Sequence, residues 1–384
     1  MKNTILSKSI IAAVLGLSIS SVSHAGVVYL TGSTAARANV YNCLIFPGAV
    51  FTAAPTVTTY SGSSASGSTY MAFSGTLVGG SGTTIIDCDW SGSEAGYKDV
   101  ATGASESFID PTSLNGLNNG TAAPSATVSH TVDLAMADNA QAYSRTTSPT
   151  VATKPVGVIT FKWVRNPGLW TGSNVTDSQI QNALNGYAPR ALFDGNSAHV
   201  NDEVYVSGRD NSSGTRVNAF GDSGFGIFTS PNQIEINGTT GAQVDLTGSG
   251  VYEGDYGFSS GGTLAKTLGA NTTTATDQIT GNTGFSVIAY LGYNDAVTAI
   301  GVGATELTYD GVAFNPTAVE QGQYTFWGNE FVSHSPTADA EAVSAWTLLG
   351  ASTGVTAYGD GNALISLSAM QASRSGPSSV PSHN

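Results

Sequence analysis

The chain has 384 residues and a formal net charge of −14, although only 10% of its residues are charged. So acidic a chain is a poor partner for nucleic acid or for an anionic lipid surface, which excludes functions that depend on a basic patch. An anionic small molecule would have to be held by local donors, because the overall field of the protein repels it.

The first 25 residues predict an export signal rather than part of the fold. Lys2 and Lys8 precede an apolar stretch at 10–19 that is too short to span a bilayer, and residues 23–25 have the small-x-small pattern of a cleavage site. We therefore expect a mature chain that begins near Gly26 and works outside the cytoplasm, either in the periplasm or as a secreted or cell-surface protein.

Cys43 and Cys88 are the only two cysteines in the sequence. In an exported protein a disulfide between them is the natural expectation, and it would stabilise the fold by about 3–4 kcal/mol in the chain-entropy description. Two small buried thiols are the alternative, because the sequence does not give the separation of the two Cα atoms.

Predicted strands and helices alternate along the chain. The apolar patterns predict strands at 27–31, 83–87, 132–136, 156–164, 204–207 and 285–291, and helices at 35–43, from 94, at 177–184, after 213 and at 338–349. Such alternation is typical of parallel sheets covered by helices. Three blocks rich in Gly, Ser and Thr, at 52–82, 101–129 and 238–262, interrupt the pattern as long loops or as short strands of an irregular sheet.

The segment SGRDNSSGTRVNAF, at 207–220, is the most specific candidate for a binding site. A predicted strand ends in a turn that contains Arg209, Ser213, Gly214 and Thr215, and a helix follows. The first N–H groups of a helix have no partner within the helix, and together with a guanidinium and two hydroxyls they form a set of donors for an anion.

Three further loops have the same character, because each follows a strand and carries hydroxyls or a carboxylate. They contain Ser33 with Thr34, Ser93, and Asp138. In open α/β sheets ligands bind beyond the carboxyl ends of strands, so we expect the four loops to converge on one crevice.

Seven motifs, taken in order, resemble those of the periplasmic phosphate-binding proteins, the substrate-binding components of phosphate ABC transporters. They are LTGSTAAR (30–37), SGSEAGYKDV (91–100), LAMADNAQ (134–141), GVITFKWVRNPG (157–168), VTDSQIQNALNG (175–186), VSGRDNSSGTRVNAF (206–220) and VIAYLGYN (287–294). The resemblance implies an α/β, two-lobed type 2 periplasmic-binding-protein fold. Two mixed sheets flanked by helices would be joined by hinge strands and would carry the Gly/Ser/Thr-rich blocks as insertions.

The same resemblance implies a division of the chain and a ligand. The first lobe would comprise 26–155 and 290–384, the second lobe 156–289, and the hinge strands would lie near 156–164 and 287–293. Inorganic phosphate would be held by Thr34, Ala35, Ser93, Asp138, Arg209, Ser213, Gly214 and Thr215. The protein would be a monomer without a cofactor, and it would deliver phosphate to an ABC transporter permease.

Asp138 would set the choice of anion. A carboxylate repels a tetrahedral dianion unless the ligand brings a proton, and phosphate near neutral pH does so whereas sulfate does not. The mismatch with sulfate costs several kcal/mol, comparable to the roughly 10⁴-fold rejection of a ligand that leaves a buried polar group unpaired.

Other functions remain open from the sequence. The fold could bind another oxyanion or a phosphorylated organic molecule, and the Gly/Ser/Thr-rich composition also suits a secreted surface or adhesive protein. FGDSGFG, at 220–226, is superficially similar to the nucleophile loop of a serine protease, but neither His130 nor His199 has a catalytic neighbourhood. The histidines and cysteines lack the spacing of a metal site. We therefore expect a binding protein rather than an enzyme.

Overall fold

A computed structural model describes residues 26–62, 64–118, 120, 122–186 and 188–384. The predicted export signal lies outside these ranges. The strands are β1 Gly26–Gly32, β2 Thr56–Tyr60, β3 Tyr70–Gly75, β4 Thr84–Asp89, β5 Ser105–Ile109, β6 Thr127–Thr131, β7 Leu134–Ala137, β8 Ala152–Arg165, β9 Asn174–Val175, β10 Ala188–Pro189, β11 Glu203–Ser207, β12 Ser286–Gly292, β13 Thr305–Glu306, β14 Thr308–Tyr309, β15 Trp327–His334, β16 Leu364–Ile365, β17 Ala372–Ser373 and β18 Ser382–His383.

Helices follow most of the parallel strands. They are α1 Arg37–Ile45, α2 Ser93–Thr102, α3 Asp177–Leu184, α4 Ala191–Asp194, α5 Gly214–Asp222, α6 Gly261–Thr267, α7 Tyr293–Gly301, α8 Pro316–Glu320 and α9 Ala340–Leu349. Within the described ranges, no helix combines the length and the apolar character needed to cross a membrane.

One large mixed sheet runs through the molecule in the order β10-β11-β12-β8-β15-β7-β1-β4-β3-β2. β1 pairs in parallel with β4 and β7, and β11 pairs in parallel with β12. The long strand β8 joins two parts: residues 152–160 pair with β15, and residues 161–165 pair with β12. We call β15, β7, β1, β4, β3 and β2 sheet I, and β12, β11 and β10 sheet II.

Both faces of sheet I are buried, as an uninterrupted apolar strand requires. Val28 and Leu30 of β1 pack in one core with α1, whereas Tyr29 points to the opposite face and packs in a second core with Tyr97 and Val100 of α2. Successive side chains of a strand point to opposite faces, so β1 serves both cores. The expected α/β architecture, with mixed β-structure flanked by helices, is therefore confirmed.

Two of the Gly/Ser/Thr-rich blocks contain antiparallel strand pairs. β2 and β3 form a hairpin at the edge of sheet I, and β5 pairs with β6. The third block, 238–262, consists of turns and isolated bridges until α6 begins. The sequence left open whether these blocks form long loops or short strands. The first two blocks contain short strands, and the third is mainly a long loop.

The second connection between the two sheets lies later than expected. Residues 287–293 form most of β12 and the first residue of α7, and α7 packs on α6 and β12 of sheet II. β13 then pairs with the sheet II end of β8, and β14 pairs with β9. The chain returns to sheet I only between β14 and β15. The division into lobes at 155/156 and 289/290 stays a prediction, and its second boundary is not where the pairing changes.

The expected disulfide is absent from the described structure, and this expectation was wrong. Cys43 on α1 and Cys88 on β4 are both free thiols and fully buried. They fill space in the core between α1 and sheet I, as small apolar side chains do. Burial raises the pKa of the Cys43 thiol to about 12, so the reactive thiolate is disfavoured.

Candidate phosphate-binding site

The loop after β1 is fixed against the end of β7. Gly32 has a φ of +111°, and a Cβ at this position would overlap the carbonyl oxygen of Met136. The next residue, Ser33, donates its N–H to the same oxygen over 2.8 Å. Glycine is required here because only a residue without a Cβ permits both this backbone conformation and this approach.

Asp138, which follows β7, is the point where the loops meet. One oxygen of its carboxylate accepts a hydrogen bond from Ser33 Oγ, and the other accepts one from Thr215 Oγ1 over 3.2 Å. Its own N–H donates to Ser93 Oγ over 3.1 Å. Side chains that follow β1, β4 and β11 therefore bond to Asp138, which follows β7 and is 1% exposed.

The start of α5 comes from sheet II and packs directly on this group. Ser213 is the N-cap, and its Oγ accepts from Arg216 N over 3.2 Å. A Cβ on Gly214 would lie 2.7 Å from Ser93 Cβ, so the two halves touch through a glycine. Among the residues that the structure describes, no acceptor reaches the N–H groups of Gly214 and Thr215. These groups are the donors that a helix start offers to an anion.

Arg209 is held by the irregular segment before α6. Its Nε donates to the carbonyl of Phe258 over 2.9 Å and its Nη2 donates to that of Ser259 over 2.8 Å. Its backbone N–H donates to Tyr290 Oη over 2.9 Å. Because these bonds fix one edge of a guanidinium that is 2% exposed, the Nη1 side keeps its donors for a ligand.

A second arginine, Arg37, lies in the first turn of α1. Asp295 of α7 lies between the two arginines: a Cβ on Gly261 would overlap the Asp295 carboxylate and lie 3.3 Å from Arg209 Nη1. A Cβ on the adjacent Gly262 would lie 3.4 Å from Asp295 Oδ1 and 3.6 Å from Arg37 Nη2. Burial raises the pKa of Asp295, and the charges of both arginines act in the opposite direction.

Glu330 of β15 forms a buried carboxyl pair with Asp138. The ladder places Phe331 opposite Ala137, so Glu330 and Asp138 are the next residues along the two strands. The Glu330 side chain is fully buried, and its carboxyl group lies against Asp138 and the backbone of Ala137. Burial, and then the charge of Asp138, raise the pKa of Glu330 well above its usual range. Burial also raises the pKa of Asp138, against the hydrogen bonds and the Arg209 charge that lower it.

Two carboxyl groups this close in a dry environment cannot both be ionised. A charged Glu330 is favoured by the backbone of Ala137, whereas a charged Asp138 is favoured by the hydroxyls of Ser33 and Thr215 and by the charge of Arg209. The proton therefore belongs on Glu330, which donates to the Asp138 carboxylate. A carboxylate has about four lone-pair positions, so Asp138 keeps capacity for one more donor.

A cavity of about 390 Å³ opens between the start of α1, the segment that joins β2 and β3, and the segments around α6 and α7. Thr34, Ala35 and Arg37 form one wall, and Gly262, Lys266 and Asp295 belong to the other. We call this space the outer cavity. The name cradle is given to a set of buried residues: Ser33, Ser93, Asp138, Arg209, Ser213, Gly214 and Thr215.

The structure thus brings most of the proposed ligands together. Ser93, Asp138, Gly214 and Thr215 are in direct contact, Ser213 caps the adjoining helix, and Arg209 is near enough to act on the charge of Asp138. Thr34 and Ala35 lie instead on the wall of the outer cavity. Their role as ligands stays a prediction.

The sequence patterns assigned no role to Arg37, Asp295 or Glu330. Arg37 was detectable as one of only 13 basic residues, at the end of the first motif. Glu330 was detectable as a lone acid in an otherwise strand-like segment. Ser33 belonged to a recognised loop, but its bond to Asp138 depends on how β1 and β7 pair.

A protease-like role for FGDSGFG finds no support in the described residues. Ser223 is buried and its Oγ donates to the carbonyl of Ala219 over 2.7 Å. His199 instead pairs with Asp194, and His130 stacks on Tyr29. Within the described ranges, no group of three or more His, Cys, Asp or Glu side chains is arranged to hold a metal ion.

No protein-family model and no curated protein matches the chain. Solved structures of similar shape include one from Clostridium perfringens with bound phosphate, described as a phosphate ABC transporter substrate-binding protein. It is 13% identical, with a TM-score of 0.49, over 89% of this chain and 100% of that one. An ABC-type phosphate transport receptor from Vibrio cholerae is 13% identical, with a TM-score of 0.44, over 85% and 94%. PstS from Borrelia burgdorferi is 12% identical, with a TM-score of 0.37, over 85% and 94%.

Proposed function

We propose that this protein binds inorganic phosphate in the cradle. The observation that carries the proposal is that side chains from three other strand-end loops bond to Asp138, two of them to its carboxylate and one to its backbone N–H. Helix N-termini, hydroxyls and a guanidinium suit the oxygens of an oxyanion. They explain why an anion binds to a chain that repels anions overall.

The carboxylate narrows the choice of oxyanion. Asp138 holds its charge because Glu330 carries the proton of the pair, so it offers an acceptor to the ligand. A phosphate ion with a P–OH group satisfies that acceptor, whereas sulfate places an oxygen without a proton against it. The buried pair therefore supports phosphate over sulfate.

The biological setting follows from the same proposal. A protein that binds phosphate and does no chemistry on it would serve uptake, by delivering the ion to an ABC transporter permease. The predicted export signal would locate it outside the cytoplasm, and a monomer suffices because one chain supplies all the cradle residues. The cradle set contains no histidine, lysine or cysteine to act as a nucleophile or base, which supports a binding role over an enzymatic one.

Calorimetric titration of the purified protein with phosphate and with sulfate tests the proposal. We expect saturable binding of phosphate at one site per chain, with sulfate on the order of 100-fold weaker or more. Equal affinity for the two anions would show that Asp138 does not select phosphate over sulfate. Binding of neither would favour the alternative of a secreted surface or adhesive protein.

A further inference from the structure

The outer cavity is much larger than inorganic phosphate needs. A phosphate ion replaces two or three waters, roughly 60 to 90 Å³ at about 30 Å³ per water. The cavity measures about 390 Å³, within the range of roughly 300–1,000 Å³ typical of sites for small organic ligands. The cradle residues do not line this space and are almost fully buried; Asp295 links the two, because it lines the cavity and lies near Arg209 Nη1.

This space is not simply the gap of an open cleft. Next to it the two halves of the molecule are already in contact, since Glu94 N donates to the carbonyl of Ser212 over 2.9 Å. A Cβ on Gly292 would lie 2.9 Å from Ala35 Cβ, so these backbones also meet closely. The cavity therefore persists where the cradle is closed.

Its lining favours one class of chemical group. The residues that line it include Ser260, Thr263 and Thr298, together with Asn294, Lys266 and Asp295. No aromatic side chain occurs among the described residues that line it, so a nucleobase would have nothing to stack on. A mixture of donors and acceptors without aromatic surface suits a ligand rich in hydroxyls.

Arg37 is the strongest indication that a ligand belongs there. Its side chain is 6% exposed and borders the cavity, yet among the described residues no acceptor lies within hydrogen-bonding distance of its guanidinium. The guanidinium nitrogens are not completely buried, so they are reached from the cavity, and ligand oxygens there would accept hydrogen bonds from them. Arg37 and Asp295 together offer donors and acceptors to hydroxyl groups beside the cradle.

We propose that the outer cavity receives the hydroxyl-bearing part of a phosphate monoester, so that the protein binds a sugar phosphate or polyol phosphate whose phosphoryl group occupies the cradle. The inference rests on the proposed function, because it uses the same phosphate position. It also predicts a pH dependence. A monoester keeps its P–OH proton only below a second pKa of about 6, so the ester should bind more tightly as the pH falls past this value.

The experiment titrates the purified protein with inorganic phosphate, glycerol 3-phosphate and glucose 6-phosphate at pH 5.5 and at pH 7.5. We expect at least one ester to bind in competition with phosphate and about five-fold or more tightly at pH 5.5 than at pH 7.5. Binding of phosphate without binding of either ester overturns the inference and leaves the proposed function intact. Binding of none of the three overturns both.

A matched pair of variants on α7 tests the location. Thr298 lines the cavity and Val297 does not, although both are exposed neighbours on the same helix. Thr298→Trp should weaken ester binding at least ten-fold and change phosphate affinity less than two-fold, whereas Val297→Trp should leave both affinities unchanged. If Thr298→Trp keeps full ester affinity, or if ester and phosphate bind at the same time, the ester does not occupy this cavity and the inference fails.

Discussion

The cradle and the outer cavity are neighbours, but they are built in opposite ways. In the cradle, backbone and side chains from both sheets approach so closely that a single added carbon at Gly214 would collide with Ser93. In the outer cavity, a Cβ on Gly262 would meet its nearest neighbours at 3.4 to 3.7 Å, which is ordinary contact. Polar atoms of the cradle bond to one another, whereas the Arg37 guanidinium has no acceptor among the described residues.

The difference separates two tasks of a binding site. A closely packed set of buried donors and acceptors discriminates between ligands, because a mismatched ligand leaves a buried group unpaired. A roomy polar space accepts variation, because hydroxyls and flexible side chains can bond in several ways. We therefore assign the choice of anion to the cradle and tolerance of a substituent to the outer cavity.

The largest effect is expected from Asp138→Asn. The amide keeps the size of the side chain but presents an N–H donor, so sulfate loses its penalty while phosphate loses the acceptor for its proton. We expect the ratio of phosphate to sulfate affinity to fall on the order of 10³-fold, measured by calorimetry of both anions. An unchanged ratio would mean that Asp138 does not contact the ligand proton, whatever happens to the absolute affinities.

Gly214→Ala and Gly262→Ala should differ in phosphate affinity, by a smaller factor than the one expected for Asp138→Asn. Overpacking at the closed contact costs about 1–3 kcal/mol, which corresponds to roughly 10- to 100-fold weaker phosphate binding if closure accompanies binding. The Gly262 variant should stay within two-fold of the unmodified protein. Thermal unfolding of both variants serves as the control, because a general loss of stability would appear without ligand. Equal affinities would show that the contact at Gly214 does not couple the two halves.

Local patterns in the sequence predicted the strand-end loops that form the cradle, but they did not predict the roles of Glu330 and Arg37. Continuous apolar runs identify buried strands such as β1 and β12, and the polar residues beyond strand ends include Ser93, Asp138 and Arg209. Glu330 could not be assigned, because its partner depends on the antiparallel register of β15 against β7. Arg37 could not be assigned either, because its neighbours Gly262 and Asp295 belong to segments far away in the sequence. Pairing between distant segments is a property of tertiary packing, which local patterns do not encode.

Glu330→Gln should make phosphate affinity less dependent on pH when binding is compared at pH 7 and pH 9. In the unmodified protein, rising pH removes the proton that Glu330 donates, and two buried negative charges then face the ligand. Glutamine donates from a group that does not titrate, so the variant should hold its phosphate affinity over this range. The ratio of the two proteins' affinities is the measurement, because the titration of phosphate itself cancels. A constant loss at both pH values would indicate a packing role alone.

Glu330→Gln should also change how the free energy of unfolding depends on pH, and the direction of this change can be stated. Glu330 has a raised pKa in the folded state, so its favourable contribution is complete below the ordinary glutamate value of about 4.3 and is lost as the pH rises toward the folded pKa. Denaturant unfolding should therefore show the unmodified protein losing stability relative to Glu330→Gln as the pH increases above about 4.3. The opposite slope would mean that Glu330 is ionised in the folded protein.

The smallest effect is expected from reduction of the cysteines. Cys43 belongs to the helix that follows the first cradle loop, and Cys88 belongs to the strand that precedes the second, so a disulfide would tie the two loops covalently. With both thiols free and buried, packing alone must hold the cradle. Incubation with dithiothreitol should therefore change phosphate affinity less than two-fold and leave the unfolding temperature within about 1 °C, whereas a disulfide would have contributed about 3–4 kcal/mol. A drop of several degrees on reduction would show that the bond forms, and that the rigidity of the cradle is partly covalent.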